Sequence, residues 1–330
     1  RTNDYRFFDP LIEVKTLIDR YAAEEPDLDD LQLAAIEGMI EALDDPYALY
    51  VPPRLNEDFE KELTGEYVGI GAEVNSIDGV FTIVTPMDDS PAFRAGLMAG
   101  DKVRFIDGQA TEGLSVDESI DLLLGEDGTE VTLTVERDGE TIDITITRGK
   151  IKARAVRGYR RAADENASWD YMLDPERRIG YIRVSQFTPS VAAEFEEALR
   201  EIGAHEGSLA GLIIDVRWNP GGLLDQAVRM ADLFLEEGVI VSTKGRAFEE
   251  RFARAAEEGT LPAFPIAVLI NGQSASASEV LAGALVENDR AIAVGERSFG
   301  KGSVQSVHPL GGGGTGGSLK LTEQRYYLPS

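Results

Sequence analysis

Ile266-Ala267-Val268-Leu269-Ile270-Asn271-Gly272-Gln273-Ser274-Ala275-Ser276-Ala277-Ser278-Glu279 is the stretch on which the fold turns. Five apolar residues without polar alternation predict a strand covered on both faces, Asn-Gly breaks it, and a helical pattern then runs from Ser276 to Glu287. The same alternation extends in both directions. Strands are predicted over 179–184, 211–216 and 292–294, and helices over 191–202 and 223–234. The region 151–330 therefore reads as an α/β domain. Ligands of such domains lie beyond the carboxyl ends of the strands. Two unusual loops follow strands here: Arg217-Trp218-Asn219-Pro220-Gly221-Gly222 and Asn271-Gly272-Gln273-Ser274-Ala275-Ser276.

Upstream the pattern changes twice. Residues 66–150 hold short strands over 68–74, 80–84, 102–106, 131–136 and 142–147, broken by Asp78-Gly79, Asp107-Gly108 and Asp138-Gly139. Two short helices interrupt them, one opening on Ser90-Pro91 and one over 116–124, so a small β-rich domain is expected. Residues 1–65 carry 6 basic and 17 acidic side chains, with apolar residues at helical spacing in Leu11, Val14 and Ile18 and again in Leu31, Ile36 and Leu43. This predicts an N-terminal helical segment that packs on the rest of the chain or on a second copy, since so short a segment seldom folds alone.

Composition closes off several functions. With 32 Lys+Arg against 59 Asp+Glu, the net charge of −27 repels nucleic acid, which needs a basic footprint. The absence of cysteine removes thiolate nucleophiles and Cys-ligated metals. Only His205 and His308 supply imidazole, leaving few ways to build a zinc site or a Ser-His-Asp triad. No metal and no cofactor are expected. No apolar run approaches the roughly 18 residues of a membrane span. The chain opens without Met and stops at Tyr326-Tyr327-Leu328-Pro329-Ser330, which reads as a cut sequence, so a targeting segment is not expected within it.

Chemistry is concentrated in the two loops and just after them. A hydroxyl in Ser274–Ser278 faces the unpaired amides and positive dipole end of the following helix. Ser276 with Glu279 three residues on is equally the pattern of a capping box, which needs no catalysis. Lys301, between Gly300 and Gly302, could take a serine's proton if desolvation lowered its pKa, or could anchor an anion. The spacing from Gly295 to Lys301 does not fit a phosphate-binding P-loop. Asn219-Pro220-Gly221-Gly222 is either an ordinary strand-to-helix turn or half of an oxyanion hole, with the Ala277 amide as the other half.

These residues together resemble a known family. Gly38-Met39 with Leu43-Asp44-Asp45-Pro46-Tyr47, Gly69-Ile70-Gly71, Ser90-Pro91-Ala92, Gly100-Asp101, Asn219-Pro220-Gly221-Gly222, Ser274 to Glu279 and Phe299-Gly300-Lys301-Gly302-Ser303-Val304-Gln305 stand in the order seen in the C-terminal processing peptidases, also called tail-specific proteases. The resemblance implies a PDZ domain (66–150) inserted before a crotonase-like α/β Ser-Lys peptidase core (151–330). It places the nucleophile at Ser276, the general base at Lys301, the residue that orients the lysine at Gln305, and the oxyanion donors at Ala277 and Gly221 or Gly222. It also makes Tyr67-Val68-Gly69-Ile70-Gly71 the loop that holds a peptide's terminal carboxylate, although a plain glycine-containing strand reads the same way.

The implied activity is a serine endopeptidase acting on protein or peptide substrates with a free C-terminus, in the periplasm or cell envelope, with a homodimer through the N-terminal helices. A non-catalytic PDZ scaffold is the competing reading, and an acyl-CoA enzyme on the same core would want a nucleotide site the sequence lacks. The chain departs from the family in having Leu124-Gly125 where an Arg-Gly pair is common, and in a long polar stretch from Arg157 to Arg178.

Overall fold

A computed structural model describes residues 5–24, 26–56, 59, 66–77, 79–87, 90–152, 154–161, 169–311 and 316–329. The chain forms two compact units, one of residues 1–59, 245–248 and 303–325, the other of 60–244, 249–302 and 326–330. The units thus cut across the order of the sequence: the N-terminal segment shares its unit with a stretch from near the far end.

In the first unit the helices Asp9–Tyr21 and Leu28–Glu41 fall where the spacing of Leu11, Val14, Ile18, Leu31 and Ile36 predicts them. Asp27 caps the second by accepting the N–H groups of Asp29 and Asp30 at 2.8 and 3.3 Å. The segment also contains the strand Leu49–Val51, which pairs antiparallel with Ser318, Leu319 and Lys320. The strand Ser303–Pro309 runs antiparallel to the same partner, from Arg325 back to Ser318. Neither helix buries a residue within the chain, and Leu11, Val14 and Leu17 are exposed.

The second unit begins with the β-rich module. Its antiparallel sheet orders the strands Ala72–Ile77, Val80–Pro86, Lys102–Ile106, Glu130–Arg137 and Glu140–Thr147 side by side. Inward-facing Ile83, Val103, Leu133 and Ile146 are fully buried, as period-two alternation requires. Glu66–Gly69 pairs antiparallel with Gly149–Lys152, which brings both ends of the module together, as an insertion into another domain needs. The one strand expected over 68–74 is two, parted at Ile70-Gly71. Gly71 has φ +73°, and a Cβ there would lie 2.5 Å from the Ser90 Cβ, so the chain must turn where periodicity alone sees continuity.

The α/β core holds four parallel strands in the order Ile179–Val184, Gly211–Asp215, Ile266–Ile270, Ile292–Gly295. Helices Val191–Glu201, Leu224–Asp232 and Ala277–Glu287 follow the first three strands in turn. Two short strands, Val156–Arg157 and Met172–Asp174, add antiparallel to Ile179–Val184. Within the polar stretch 157–178, residues 162–168 lie outside those described, and on either side of them Arg160–Arg161 pairs with Trp169–Asp170. The core is aromatic where helices meet: Phe234 stands edge-on to Phe195 and Phe264, at 6.1 and 6.3 Å. Phe195 and Phe234 are almost wholly buried. Replacing Phe195 by Ala removes a ring the site cannot refill, and the expected cost is about 3–5 kcal/mol. A urea denaturation midpoint for the variant equal to that of the parent would contradict this.

Candidate active site

The Ser-rich turn is built from buried side-chain bonds. Ser274 Oγ accepts the Asn271 N–H at 3.0 Å and donates to the Val216 carbonyl at 2.8 Å. Ser278 Oγ donates to the Asn219 carbonyl at 3.0 Å, and the same oxygen accepts the Ala275 N–H at 3.0 Å. Ser274, Ser278 and Asn219 are fully buried. Two of the three serines are therefore engaged in tying this turn to the Asn219 loop, while Ser276 is half-buried and its hydroxyl donates to no carbonyl among the described residues. Its backbone sits at φ 55°, ψ −116°, in a region that L-residues rarely occupy. Ser276 and Glu279 form the capping box that their spacing predicts. The Glu279 carboxylate accepts the Ser276 N–H at 2.8 Å, and the Glu279 N–H donates to the Ser276 main-chain oxygen at 2.8 Å.

The glycine loop lies against this turn. A Cβ on Gly221 (φ +102°) would stand 2.8 Å from the Ser276 Cβ and 3.0 Å from the Ala277 nitrogen, so only glycine permits the approach. The two glycines divide the work. The Gly221 N–H donates to Asn219 Oδ1 at 2.9 Å and its carbonyl accepts the Phe187 N–H at 2.9 Å. The Gly222 and Ala277 N–H groups have no acceptor among the described residues. Of the three amides singled out in the sequence, these two are without an acceptor among the described residues, and Gly221 is the point of close contact.

What holds the loop is an ion pair the sequence reading passed over. Asp215, fully buried at the end of its strand, accepts the Tyr181 hydroxyl at 2.6 Å and Nε and Nη2 of Arg217 at 2.9 and 2.7 Å. Burial alone would raise the Asp215 pKa, but the Arg217 guanidinium, the Tyr181 hydroxyl and the Arg217 N–H outweigh it and hold the carboxyl below its ordinary value. Burial and the bond to that carboxylate push the Tyr181 phenol up to about 12. The next residue, Trp218, is exposed with φ 65°, its N–H held by Asn271 Oδ1 at 3.0 Å. The pattern Asp-x-Arg at a strand end was the available signal for this anchor.

Lys301 joins the site through its main chain. Its N–H donates to Glu279 Oε2 at 2.9 Å, and its carbonyl accepts the Tyr326 hydroxyl. Ser276 and Lys301 thus have their amides on the same carboxylate oxygen. Gln305 belongs to the other compact unit, where its Nε2 donates to Ser303 Oγ at 2.8 Å and to Thr322 Oγ1 at 3.3 Å. His308 pairs with Glu323 at 2.8 Å in that unit. Among the described residues there is no cluster of metal-ligating side chains.

In the β-rich module, Tyr67 and Val68 pair with Ile151 and Lys150, and the chain then turns through Gly69-Ile70-Gly71. The Ile70 and Gly71 carbonyls accept Ala92 and Met87 N–H groups at 2.8 Å each, while the Ile70 and Gly71 N–H groups have no acceptor among the described residues. The strand Ala72–Ile77 that follows is a sheet edge, and the helix Val116–Leu123 lies against it. Where Leu124 replaces an expected arginine, a guanidinium still reaches this helix. Arg148 donates to the Leu122, Leu123 and Glu130 carbonyls at 3.0, 3.0 and 2.9 Å, engaging carbonyls of the helix's last turn. A Cβ on Gly125 would meet it at 2.8 Å.

Comparison with known proteins gives the family. The chain is 41% identical over 310 residues to a carboxy-terminal-processing protease of Bartonella bacilliformis, covering 92% of this chain and 67% of that one. This chain belongs to the carboxy-terminal-processing proteases of peptidase family S41. The sequence pattern of Peptidase family S41 matches residues 178–330, and that of the PDZ domain matches residues 68–147. A probable CtpA-like serine protease of Staphylococcus saprophyticus is 33% identical, covering 96% of this chain and 60% of that one. Among solved structures, a photosystem II D1 C-terminal processing protease superposes with a TM-score of 0.52 at 30% identity, over 96% of this chain and 82% of the other. The chain spans two thirds or less of the curated S41 relatives named here.

The Asp215 anchor yields a signed expectation. Its folded pKa lies below its unfolded value of about 3.9, so the pair contributes fully above that value and is lost as pH falls through the folded pKa. Asp215→Asn should cost about 3 kcal/mol at neutral pH. The gap from the parent should close as the solution is acidified below about pH 4. A gap that stays constant into acid, followed by tryptophan fluorescence in urea, would refute the assignment.

Proposed function

We propose that this S41 protease is a serine endopeptidase that cuts substrates near their C-termini by a Ser-Lys acyl-enzyme mechanism. The observation that carries the reading is the fate of the three hydroxyls: Ser274 and Ser278 donate to buried carbonyls, whereas the Ser276 hydroxyl donates to no carbonyl among the described residues and stands at a helix start beside the Gly222 and Ala277 amides. Ser276 Oγ attacks the scissile carbonyl, and neutral Lys301 takes its proton. The developing oxyanion is met by the Gly222 and Ala277 N–H groups, aided by the positive end of the helix. Lys301 returns the proton to the leaving amine, and water then releases the acyl group from Ser276. Gln305 is assigned to keep the lysine aimed without adding charge.

The PDZ domain supplies selectivity. Amides at Ile70 and Gly71 receive the terminal carboxylate, and the tail adds as a strand along Ala72–Ile77 beside the helix Val116–Leu123. The scaffold reading needs only this half, and the placement of Ser276 favours the enzyme. The core is assigned to the crotonase-like type. An extracytoplasmic site of action accords with a chain free of cysteine; no helix among the described residues is long and apolar enough to cross a membrane. The helices Asp9–Tyr21 and Leu28–Glu41 leave an apolar groove of about 430 Å³ lined by Leu11, Val14, Ile18, Leu28, Leu31 and Ala35, assigned here to a second copy of the chain.

Incubated with an unfolded substrate ending in an apolar residue, Ser276→Ala and Lys301→Ala should each abolish cleavage while tail binding survives. Parental cleavage by either variant would remove that residue from the mechanism. The rate should rise with alkalinity as the amine loses its proton, and a maximum in acid would exclude a lysine base. Gly71→Ala should raise KM for the tailed substrate at least tenfold and leave cleavage of a short blocked peptide unchanged; loss of both, measured side by side, would separate this loop from tail recognition.

A further inference from the structure

The Glu279 carboxylate does far more than close a capping box. Oε2 accepts the Ser276 N–H at 2.8 Å and the Lys301 N–H at 2.9 Å. Oε1 accepts the Ser298 hydroxyl at 2.7 Å and the Gly300 N–H at 2.7 Å. The Tyr326 hydroxyl, which donates to the Lys301 carbonyl, stands 3.4 Å from Oε2 and 3.3 Å from the Ser276 carbonyl oxygen. A helix cap needs only the first of these bonds. The PDZ helix shows the ordinary case: Glu118 accepts the N–H and hydroxyl of its own N-cap, Ser115, at 2.7 and 2.8 Å and nothing from elsewhere in the described chain. Of the four close bonds to Glu279, three come from the loop 298–301, some twenty residues away in sequence.

We propose that Glu279 is a positioning residue for the peptidase reaction, a single anion that fixes the backbone of the base Lys301 relative to that of the nucleophile Ser276. The inference rests on the Ser-Lys reading above. The physical need is plain. Lys301 sits between glycines, with Gly300 at φ +90°, in a loop without strand or helix from 296 to 302. Such a loop has no ladder of its own to hold it, and a displacement of about 1 Å at a reacting group can cost about a hundredfold in rate. A carboxylate supplies what a neutral cap would not: two oxygens, each accepting two donors, with charge-assisted bonds to both partners. Because both Ser276 and Lys301 amides meet at Oε2, they lie no farther apart than those two bonds laid end to end. Glu279 touches neither substrate nor transferring proton in this scheme and is not a catalytic residue.

The test is a kinetic split on the tailed substrate. Glu279→Gln keeps the size but replaces one acceptor oxygen by a donor, so it loses about half of the bonds. The expected result is a fall in kcat of about a hundredfold with KM within about twofold, since the PDZ domain is untouched. Ser298→Ala removes one donor from Oε1 and leaves the helix cap whole; it should lower kcat several-fold with an unchanged melting temperature. If Glu279→Gln fails to fold, Ser298→Ala decides alone, and its parental kcat would overturn the proposal. So would parental kcat in Glu279→Gln while Ser276→Ala is inactive, an outcome that spares the Ser-Lys reading. Parental cleavage by Ser276→Ala, in contrast, would end that reading itself.

Discussion

The site depends on a single backbone constraint, the left-handed turn at Ser276 by which a buried parallel strand becomes a helix. Holding a residue with a Cβ at φ 55° costs of order 1–3 kcal/mol, so something must over-determine it. The surroundings do so with buried polar bonds, each contributing about 1 kcal/mol. Ser274 binds the Val216 carbonyl, Ser278 and Ala275 bind the Asn219 carbonyl, and Asn219 Nδ2 in turn donates to the Val184 carbonyl. These bonds run across the ends of three strands. The turn is therefore a property of the sheet rather than of the loop.

The consequence is chemical. The Glu279 N–H donates to the Ser276 main-chain oxygen, and the Glu279 carboxylate accepts the Ser276 N–H. Among the described residues the Ser276 hydroxyl donates to no carbonyl and the Ala277 N–H has no acceptor, at the dipole's positive end. The glycine loop completes the arrangement because Gly221 lacks the Cβ that would strike Ser276. Asp215, bonded to Tyr181 and Arg217, keeps the start of that loop from moving away.

The PDZ domain is closed at its base by its own two ends. Its two ends meet in the pair Glu66–Gly69 and Gly149–Lys152, and the chain leaving this pair turns through Ile70-Gly71, whose N–H groups have no acceptor among the described residues. Loop and edge strand are continuous, since Ala72–Ile77 begins directly after Gly71. Arg148 ends the last full strand of the module and holds the far end of the helix beside that edge.

Much of this was legible in the amino acids. Apolar runs such as Ile266–Ile270 and helical periodicities such as Val191–Glu201 fixed the α/β core, and Asp-Gly turns marked the β-rich module, because strands and helices report their burial directly in the spacing of apolar residues. The motif residues also stood out, as Ser276, Lys301 and the glycine pair are unusual in their setting. Other features could not be read this way. The strand Phe248–Arg254 is nearly all exposed and carries no alternation, and Gly71 breaks a strand only because Ser90 stands against it. Nor could spacing say which serine keeps its hydroxyl, which glycine keeps its amide, or that Glu279 serves two backbones, since each depends on which distant carbonyl or donor arrives. Residue types and their period determine elements; only the folded chain decides which polar groups find partners and which remain available for chemistry.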